Sequence, residues 1–291
     1  MIILLVIPLV LTYVTIDMLY KKNTHSKMVT LFGLAFWASA FAMVAFGFSF
    51  LIFDDVFANF TWQAFGWIVL RTVLGALSVI TWVGTVKYLP VSIGVSLQTA
   101  RMFPLLVIGV FIFGDAVGLP AILIAVALFA FCLILGIIQY RAERAAANPN
   151  YWKGFMWLLG WLLVATPKMA ILRHIGELDV NIILFISIVC VMTLAGSFAC
   201  LLLTRTSIRA TFKTIVRDPK MIPLGILDDW WVLLYLPLVM TMNIGVLEAI
   251  MVSAVALTVL AGVVLLRERI RWTAYPIIAA IIACAVALAL L

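Results

Sequence analysis

Charged residues are scarce in this 291-residue chain, and histidine is almost absent. Asp, Glu, Lys and Arg make up 11% of the sequence, whereas soluble domains carry roughly 25%. With only two histidines, the chain lacks the clustered imidazole ligands and spaced acidic motifs of metal-dependent intramembrane enzymes. We therefore expect neither a soluble domain nor an enzyme, and we expect no cofactor and no bound metal.

Other absences exclude further classes of protein. No glycine-rich phosphate loop of the Walker type occurs, so ATP is not the direct source of energy. The net charge of +7 does not indicate nucleic-acid binding, because the basic residues lie in short loops where they meet anionic lipid headgroups. The four cysteines lie inside apolar runs without metal or redox spacing, and we expect them to be packing residues.

Long apolar runs dominate what is present, and 67% of the residues are hydrophobic. A transmembrane helix needs about 20 apolar residues. Ten runs approach or exceed this length, so we predict an all-α integral membrane protein with ten transmembrane helices. The predicted spans are approximately 2–20, 29–53, 66–89, 91–114, 117–140, 154–176, 180–203, 221–242, 244–266 and 272–291.

The ten spans divide into two halves of five. We predict a first half at 1–140, a connecting loop at 141–153 and a second half at 154–291. The segment Ile93-Gly94-Val95 near the start of the fourth span resembles Ile244-Gly245-Val246 in the ninth. Because each half has an odd number of spans, a duplicated half is inverted in the membrane. Inverted repeats around a midplane site are common in secondary transporters.

The distribution of basic residues predicts the orientation. By the positive-inside rule the side with most of the basic residues is cytoplasmic, which places both termini outside a cell membrane of the bacterial inner-membrane type. The other side has Arg71 and Arg173 near span ends, against several acidic residues. The predicted cytoplasmic residues are Lys21, Lys22, Lys27, Lys87, Arg141, Arg144, Lys153, Arg205, Arg209, Lys213, Arg217, Lys220, Arg267, Arg269 and Arg271.

The segment from Leu70 to Asp115 reads LRTVLGALSVITWVGTVKYLPVSIGVSLQTARMFPLLVIGVFIFGD. It resembles the drug/metabolite transporter superfamily, specifically the EamA-like ten-span branch. The shared features are an Arg at the start of the third span, the Leu89-Pro90 step, Pro104 within the fourth span and an acidic turn at Gly114-Asp115. Asp115 stands where that family usually has Glu. In the second half the mid-span proline is absent, and Val255 is the nearest equivalent.

The resemblance implies two inverted five-helix repeats around a central cavity, with the fifth and tenth spans at the periphery. The segments Gly118–Tyr140 and Trp272–Leu291 agree with this, since neither contains a charged residue. Ten-span relatives commonly keep both termini in the cytoplasm, whereas the charge distribution here predicts the opposite. This difference leaves the direction of transport open.

Arg101 is the most informative single residue, because it lies near the centre of a predicted span. A charge at that depth costs about 2.5–3.5 kcal/mol on insertion scales, and such residues usually face a protein-lined cavity or each other. The planar guanidinium matches a carboxylate or phosphate, and Gln98 lies on the same helix face. A structural ion pair with Asp228 or Glu248 is the alternative.

Other polar residues in the spans extend the predicted site. Lys168 follows Pro167 at mid-span, and Asn243 offers a neutral hydrogen bond beside the ninth span. Aromatic side chains form a predicted substrate wall or pack in the core. The aromatic candidates are Trp82, Trp161, Trp230 and Tyr235. Candidates for proton coupling or ion pairing are Asp228, Asp229 and Glu248, although an interfacial position would also explain these carboxylates.

The features together favour a secondary active transporter with alternating access and a midplane site. Mixed charges in the site suit an amino-acid-like zwitterion or an organic anion, and a carboxylate in the site suits coupling to protons. The alternative is a flippase of the same fold for a lipid or a lipid-linked metabolite; an intramembrane enzyme is less favoured. Expected partners are a small-molecule substrate and membrane lipids, with the chain as a monomer or homodimer.

Overall fold

The computed structural model describes residues 2–22, 33, 35–41, 43–44, 56–57, 59–143, 151–217, 221–266 and 271–290. The described chain consists of helices joined by short turns, and no β-strand occurs within it. The helices are α1 (Ile2–Lys22), α2 (Trp62–Tyr88), α3 (Val91–Gln98), α4 (Met102–Phe111), α5 (Leu119–Glu143), α6 (Tyr151–Glu177), α7 (Ile182–Leu203), α8 (Ile208–Arg217), α9 (Met221–Thr241), α10 (Ile244–Met251), α11 (Ser253–Leu266) and α12 (Ala274–Leu290).

Six apolar stretches of the described chain are long enough to cross a membrane, as expected of an all-α multi-pass membrane protein. They are Trp62–Tyr88, Val91–Phe111, Leu119–Arg141, Tyr151–Glu177, Ile182–Leu203 and Ile244–Leu265. Shorter apolar helices cover Trp231–Thr241 and Ala274–Leu288. The predicted second span, 29–53, lies largely outside the described residues, and the prediction of ten spans therefore stays a prediction.

The turn between α2 and α3 follows from the Leu89-Pro90 step. A residue before proline is disfavoured in the helical conformation, and Leu89 is extended, with ψ of 148°. The Lys21 side chain of α1 donates hydrogen bonds to the carbonyl oxygens of Val86 and Leu89, at 2.8 and 3.1 Å. A cation at this helix end satisfies carbonyl groups that have no partner within the helix.

Two spans are interrupted near their middles. A 3₁₀ turn at Thr99–Arg101 separates α3 from α4, and Val252 separates α10 from α11. Pro104 accounts for the first interruption, because its ring excludes the carbonyl group four residues earlier and supplies no donor. The second interruption has no proline in the helices on either side of it, Ile244–Met251 and Ser253–Leu266.

The interrupted spans cross in antiparallel fashion, since α10 packs on α4 while α11 packs on α3. Their interruptions therefore face each other. The close approach depends on two glycines. A Cβ atom at Gly245 would lie 2.6 Å from the backbone nitrogen of Leu106, and one at Gly109 would contact the amide of Asn243. Small residues let transmembrane helices approach to backbone contact.

The remaining helices pack around this crossing. α2 lies against α6, α1 lies against α9 and α11, and α5 lies against α12. Along α5 a row of apolar side chains points away from the protein, including Leu123, Val126 and Ile137. Such a row is suited to contact with lipid, in agreement with the predicted peripheral position of this helix.

Two predicted loops contain more helix than expected. Residues 141–143 and 151–153 of the predicted connecting loop are helical, as extensions of α5 and α6. The stretch from Thr204 to Lys220 reads as a polar loop in sequence, but it contains the helix α8. Its apolar residues recur with helical rather than random spacing, so a short amphipathic helix forms there.

The crossing makes a testable prediction about Gly245. Gly245→Ala places a methyl group against the Leu106 backbone, and overpacking of this kind typically costs about 1–3 kcal/mol. We expect a lower midpoint of thermal unfolding in detergent. Gly75→Ala is the matched control, because nothing lies within 4 Å of its added Cβ and alanine is the better helix former. A thermal midpoint of Gly245→Ala at or above that of the natural protein would contradict this, because the two interrupted spans could then lie farther apart without loss of stability.

Candidate functional site

A buried ion pair joins the two interrupted spans. The Nε and Nη2 atoms of Arg101 lie 2.8 and 2.7 Å from Oε2 of Glu248. Arg101 ends the 3₁₀ turn of one span, and Glu248 lies in α10 of the other. The two residues are only 8% and 3% exposed. The prediction left Asp228 and Glu248 open as partners of Arg101, and the described partner is Glu248.

Tyr235 completes the coordination of the Glu248 carboxylate. Its hydroxyl group donates to Oε1 at 2.8 Å, and the residue is fully buried. Both carboxylate oxygens therefore accept charge-assisted hydrogen bonds, which are about twice as strong as neutral ones. Because Tyr235 belongs to α9, three different helical segments meet at one carboxylate.

The Arg101 guanidinium also rests on an aromatic face. Its Cζ atom lies 5.0 Å from the ring centroid of Trp161, and the Trp161 ring lies 5.5 Å from that of Trp82. Cation–π contacts that are removed from water contribute about 2 kcal/mol. The guanidinium thus lies between a carboxylate and an indole, and both of these groups favour its positive charge.

A second row of aromatic side chains continues from Tyr235. The Trp231 ring lies 5.2 Å from that of Tyr235 and 5.4 Å from that of Tyr13. Lys168 joins this row, with its Nζ atom 5.6 Å from the Trp231 centroid and 3.2 Å from the hydroxyl oxygen of Ser78. Both predicted mid-span cations, Arg101 and Lys168, therefore lie against the face of a tryptophan ring.

A small cavity lies beside the ion pair, with a volume of about 20 Å³, enough for a water molecule in this conformation. Its lining includes Gln98 from the first interrupted span, and Val252 and Val255 from the second. Tyr13 and Asp17 line the cavity from α1, whereas the sequence favours a surface ion pair with Lys21 for Asp17 and does not single out Tyr13. The four-residue spacing of Tyr13 and Asp17 puts them on one helix face, and a carboxylate in an apolar run is the signal that marks them.

A second polar cluster, here called the latch, consists of Asp115, Arg173 and Asn243. Oδ1 of Asp115 accepts from Nη2 of Arg173 at 2.7 Å, and Oδ2 accepts from Nδ2 of Asn243 at 2.9 Å. Arg173 also donates to the Met242 carbonyl oxygen at 2.9 Å. The Asn243 side-chain oxygen caps α10 by accepting from the Gly245 backbone.

The latch and the cavity lie on opposite sides of the ion pair. Along the first interrupted span, Gln98 precedes Arg101 and Asp115 follows it. Along the antiparallel span, Asn243 precedes Glu248 and Val255 follows it. The Gly245 and Gly109 contacts bring the spans together on the latch side, whereas on the other side α3 and α11 pack beside the cavity.

The predicted site residues thus fall into three groups. One group surrounds the ion pair: Gln98, Arg101, Trp82, Trp161, Tyr235 and Glu248. Lys168 joins the neighbouring aromatic row, and Asn243 belongs to the latch instead of the cavity. The third group is Asp228, Asp229 and Trp230, whose backbone belongs to α9 but whose side chains lie outside the described residues.

The fold recurs among solved structures. One crystal structure, described only as that of a protein, superposes with a TM-score of 0.65 at 16% sequence identity, covering 98% of this chain and 96% of that one. It is one of 21 solved chains that match. No model of a known protein family matches the sequence, and neither does any curated protein. At this identity the likeness concerns the fold alone.

Proposed function

We propose that the chain is a secondary active transporter of the drug/metabolite superfamily, with ten spans in two inverted repeats. Its substrate is a small polar or amphipathic metabolite, either amino-acid-like or an organic anion. The observation that carries this proposal is the Arg101–Glu248 pair, which bridges two antiparallel interrupted spans beside a cavity. Interrupted helices that meet at a midplane site are characteristic of such transporters.

The packing pattern supports an inverted repeat. The third span of the first half, α2, lies against the first span of the second half, α6, and the reciprocal pair is α9 with α1. Exchange of the halves also leaves the pairing of α5 with α12 unchanged. The segments Ile93-Gly94-Val95 and Ile244-Gly245-Val246 can be aligned. In that alignment Arg101 corresponds to Val252, so the two spans are interrupted at equivalent positions of the sequence.

The ion pair suits a substrate-exchange role better than a purely structural one. Removal of two charges from water usually costs more than their attraction returns, so a buried pair is weak grounds for stability. A substrate carboxylate can replace Glu248 on the planar fork of Arg101. Glu248 then needs a new positive partner, which we assign to a substrate ammonium group or to a coupling proton.

The aromatic rows fit a substrate with an apolar part. Trp82 and Trp161 flank the guanidinium on one side, and Tyr235 and Trp231 continue from the carboxylate. Such rings cover apolar surface while leaving the polar groups to orient the ligand. A lipid flippase of the same fold remains the alternative function, and the ligand screen below distinguishes the two.

Alternating access requires that each end of the site close in turn. The latch and the glycine contacts hold the spans together at the Asp115 end, while the cavity lies towards the opposite end. We assign this arrangement to a state that is closed at the latch. Rocking of the halves then has to break the bonds of Asp115 to Arg173 and Asn243.

A ligand screen on the purified protein tests the substrate class. We expect an amino acid or organic acid to raise the thermal midpoint, because a ligand at 100 times its Kd stabilises the folded state by about 2.7 kcal/mol. Arg101→Lys keeps the positive charge but removes the planar guanidinium that binds a carboxylate through two hydrogen bonds. This variant should lose most of the ligand-induced rise in the thermal midpoint. Arg141→Lys, exposed at the end of α5, is the matched control and should retain it.

Two results of this screen would contradict the proposal. An undiminished shift for Arg101→Lys would remove Arg101 from the binding site. Stabilisation by phospholipids or lipid-linked compounds alone, with no response to water-soluble acids, would favour the flippase.

Covalent closure of the latch tests alternating access. Asp115→Cys and Asn243→Cys place two thiols where the side chains now form a hydrogen bond. In proteoliposomes we expect oxidation to stop uptake of the ligand found in the screen, and reduction to restore it. Both cysteines are introduced into a protein in which the four natural cysteines are replaced by alanine, namely Cys132, Cys190, Cys200 and Cys284.

The single-cysteine variants are the controls for the oxidant itself. Equal uptake by the cross-linked and reduced proteins would mean that the latch end does not open during transport.

A further inference from the structure

The helix α8 connects two apolar helices, α7 and α9, and its own sequence is strongly amphipathic. At 100° per residue, its side chains form three sectors around the helix axis. Thr211 and Ile215 occupy the first sector, and both are buried against the protein. The backbone of Gly33 lies close to Thr211, since an added Cβ there would be 2.7 Å from the Thr211 methyl carbon. This sector fixes the rotation of the helix.

The second sector is apolar and only partly covered. Phe212 packs on the Trp37 ring at 4.7 Å yet stays 38% exposed, and Val216 is 57% exposed. Leu202 and Leu203 at the end of α7 are also exposed. Because α7 is long and apolar enough to cross the membrane, its exposed apolar end suits contact with lipid, and α8 follows that end after a short turn.

The third sector is basic. Arg209, Lys213 and Arg217 recur at four-residue spacing, so they form one row along the helix, and Arg205 precedes them in the chain. All four are exposed. Among the residues that the structure describes, no carboxylate pairs with this row. Around the helix axis, the basic row lies about 100° from the apolar sector. A helix that lies in the membrane interface turns such a basic side towards the lipid headgroups.

We propose that α8 is an interfacial helix that binds anionic phospholipid through this basic row. Phe212 and Val216 enter the boundary of the acyl chains, while Arg209, Lys213 and Arg217 hold the headgroup phosphates. Helices with this division of polar and apolar faces lie in the membrane plane and prefer anionic lipids. Each Lys or Arg near an anionic surface contributes about 1 kcal/mol, which is about a fivefold preference.

The surface favours lipid over an acidic protein partner. On one side of the helix the apolar sector lies between the buried sector and the basic row, and the exposed end of α7 precedes α8 in the chain. A protein partner would have to cover Phe212 and Val216 at the level of the membrane interface, where lipid already competes for them. This proposal does not depend on the transport function.

Lipid retention by the full-length protein tests the proposal. The probe is an equal mixture of phosphatidylglycerol and phosphatidylcholine, and the readout is the ratio of bound lipids by native mass spectrometry. We expect the natural protein to retain phosphatidylglycerol preferentially. The triple variant Arg209→Gln, Lys213→Gln and Arg217→Gln should lose at least fivefold of this preference.

The control removes the same charge elsewhere on the predicted basic side. It combines Arg141→Gln, Lys153→Gln and Arg271→Gln, three positions that are also exposed, and it should retain the preference. The variant Arg209→Lys with Arg217→Lys keeps the charges and should bind as the natural protein does. Glycerol phosphate has the headgroup charge without acyl chains, and it should not displace the lipid.

Three results would overturn the proposal. The first is an unchanged lipid ratio for the α8 triple variant, and the second is an equal loss for the control. The third is displacement of the lipid by glycerol phosphate, which would assign the row to a soluble anion.

Discussion

One buried ion pair, between Arg101 and Glu248, joins the two interrupted spans at the point where the other polar contacts of the site converge. A lone charge at the centre of a span costs several kcal/mol, so each of these residues needs the other at contact distance. The contact brings two antiparallel spans together at their interruptions. Tyr235 and Trp161 complete the surroundings of the two charges. The charged pair is thus both a junction between spans and the polar centre of the cavity.

The two sides of the ion pair differ in how the spans meet. On the latch side, Gly245 and Gly109 allow the two spans to approach closely. There Asp115 accepts hydrogen bonds from Arg173 and Asn243. On the other side α3 and α11 pack beside a small cavity. A conformation that is closed at one end is what the proposed alternating access requires. The pair lies between the latch and this cavity.

Sequence reasoning predicted the apolar helices and singled out the two residues of the buried ion pair, for physical reasons. Hydropathy is a local property, so the apolar helices could be placed to within a few residues. A charge in an apolar run is rare and costly, so Arg101 and Glu248 stood out. The partner of Arg101, the capping role of Asn243 and the helix in 204–220 depend on tertiary contacts or on helix-face geometry. The four-residue spacing of Asp17 and Lys21 favours a surface ion pair, and Tyr13 has no distinguishing neighbour in sequence, so the place of both beside the cavity depends on tertiary contacts.

The most direct test of the account replaces the charged pair and the Tyr235 hydroxyl group by apolar side chains. The variant combines Arg101→Met, Tyr235→Phe and Glu248→Leu. Replacement of a buried ionic cluster by apolar residues of similar size is often neutral, or stabilising by about 1–4 kcal/mol. We therefore predict a thermal midpoint at or above that of the natural protein, with complete loss of ligand binding. Ligand binding at unchanged affinity in this variant would contradict the account, because the pair would then serve the fold alone.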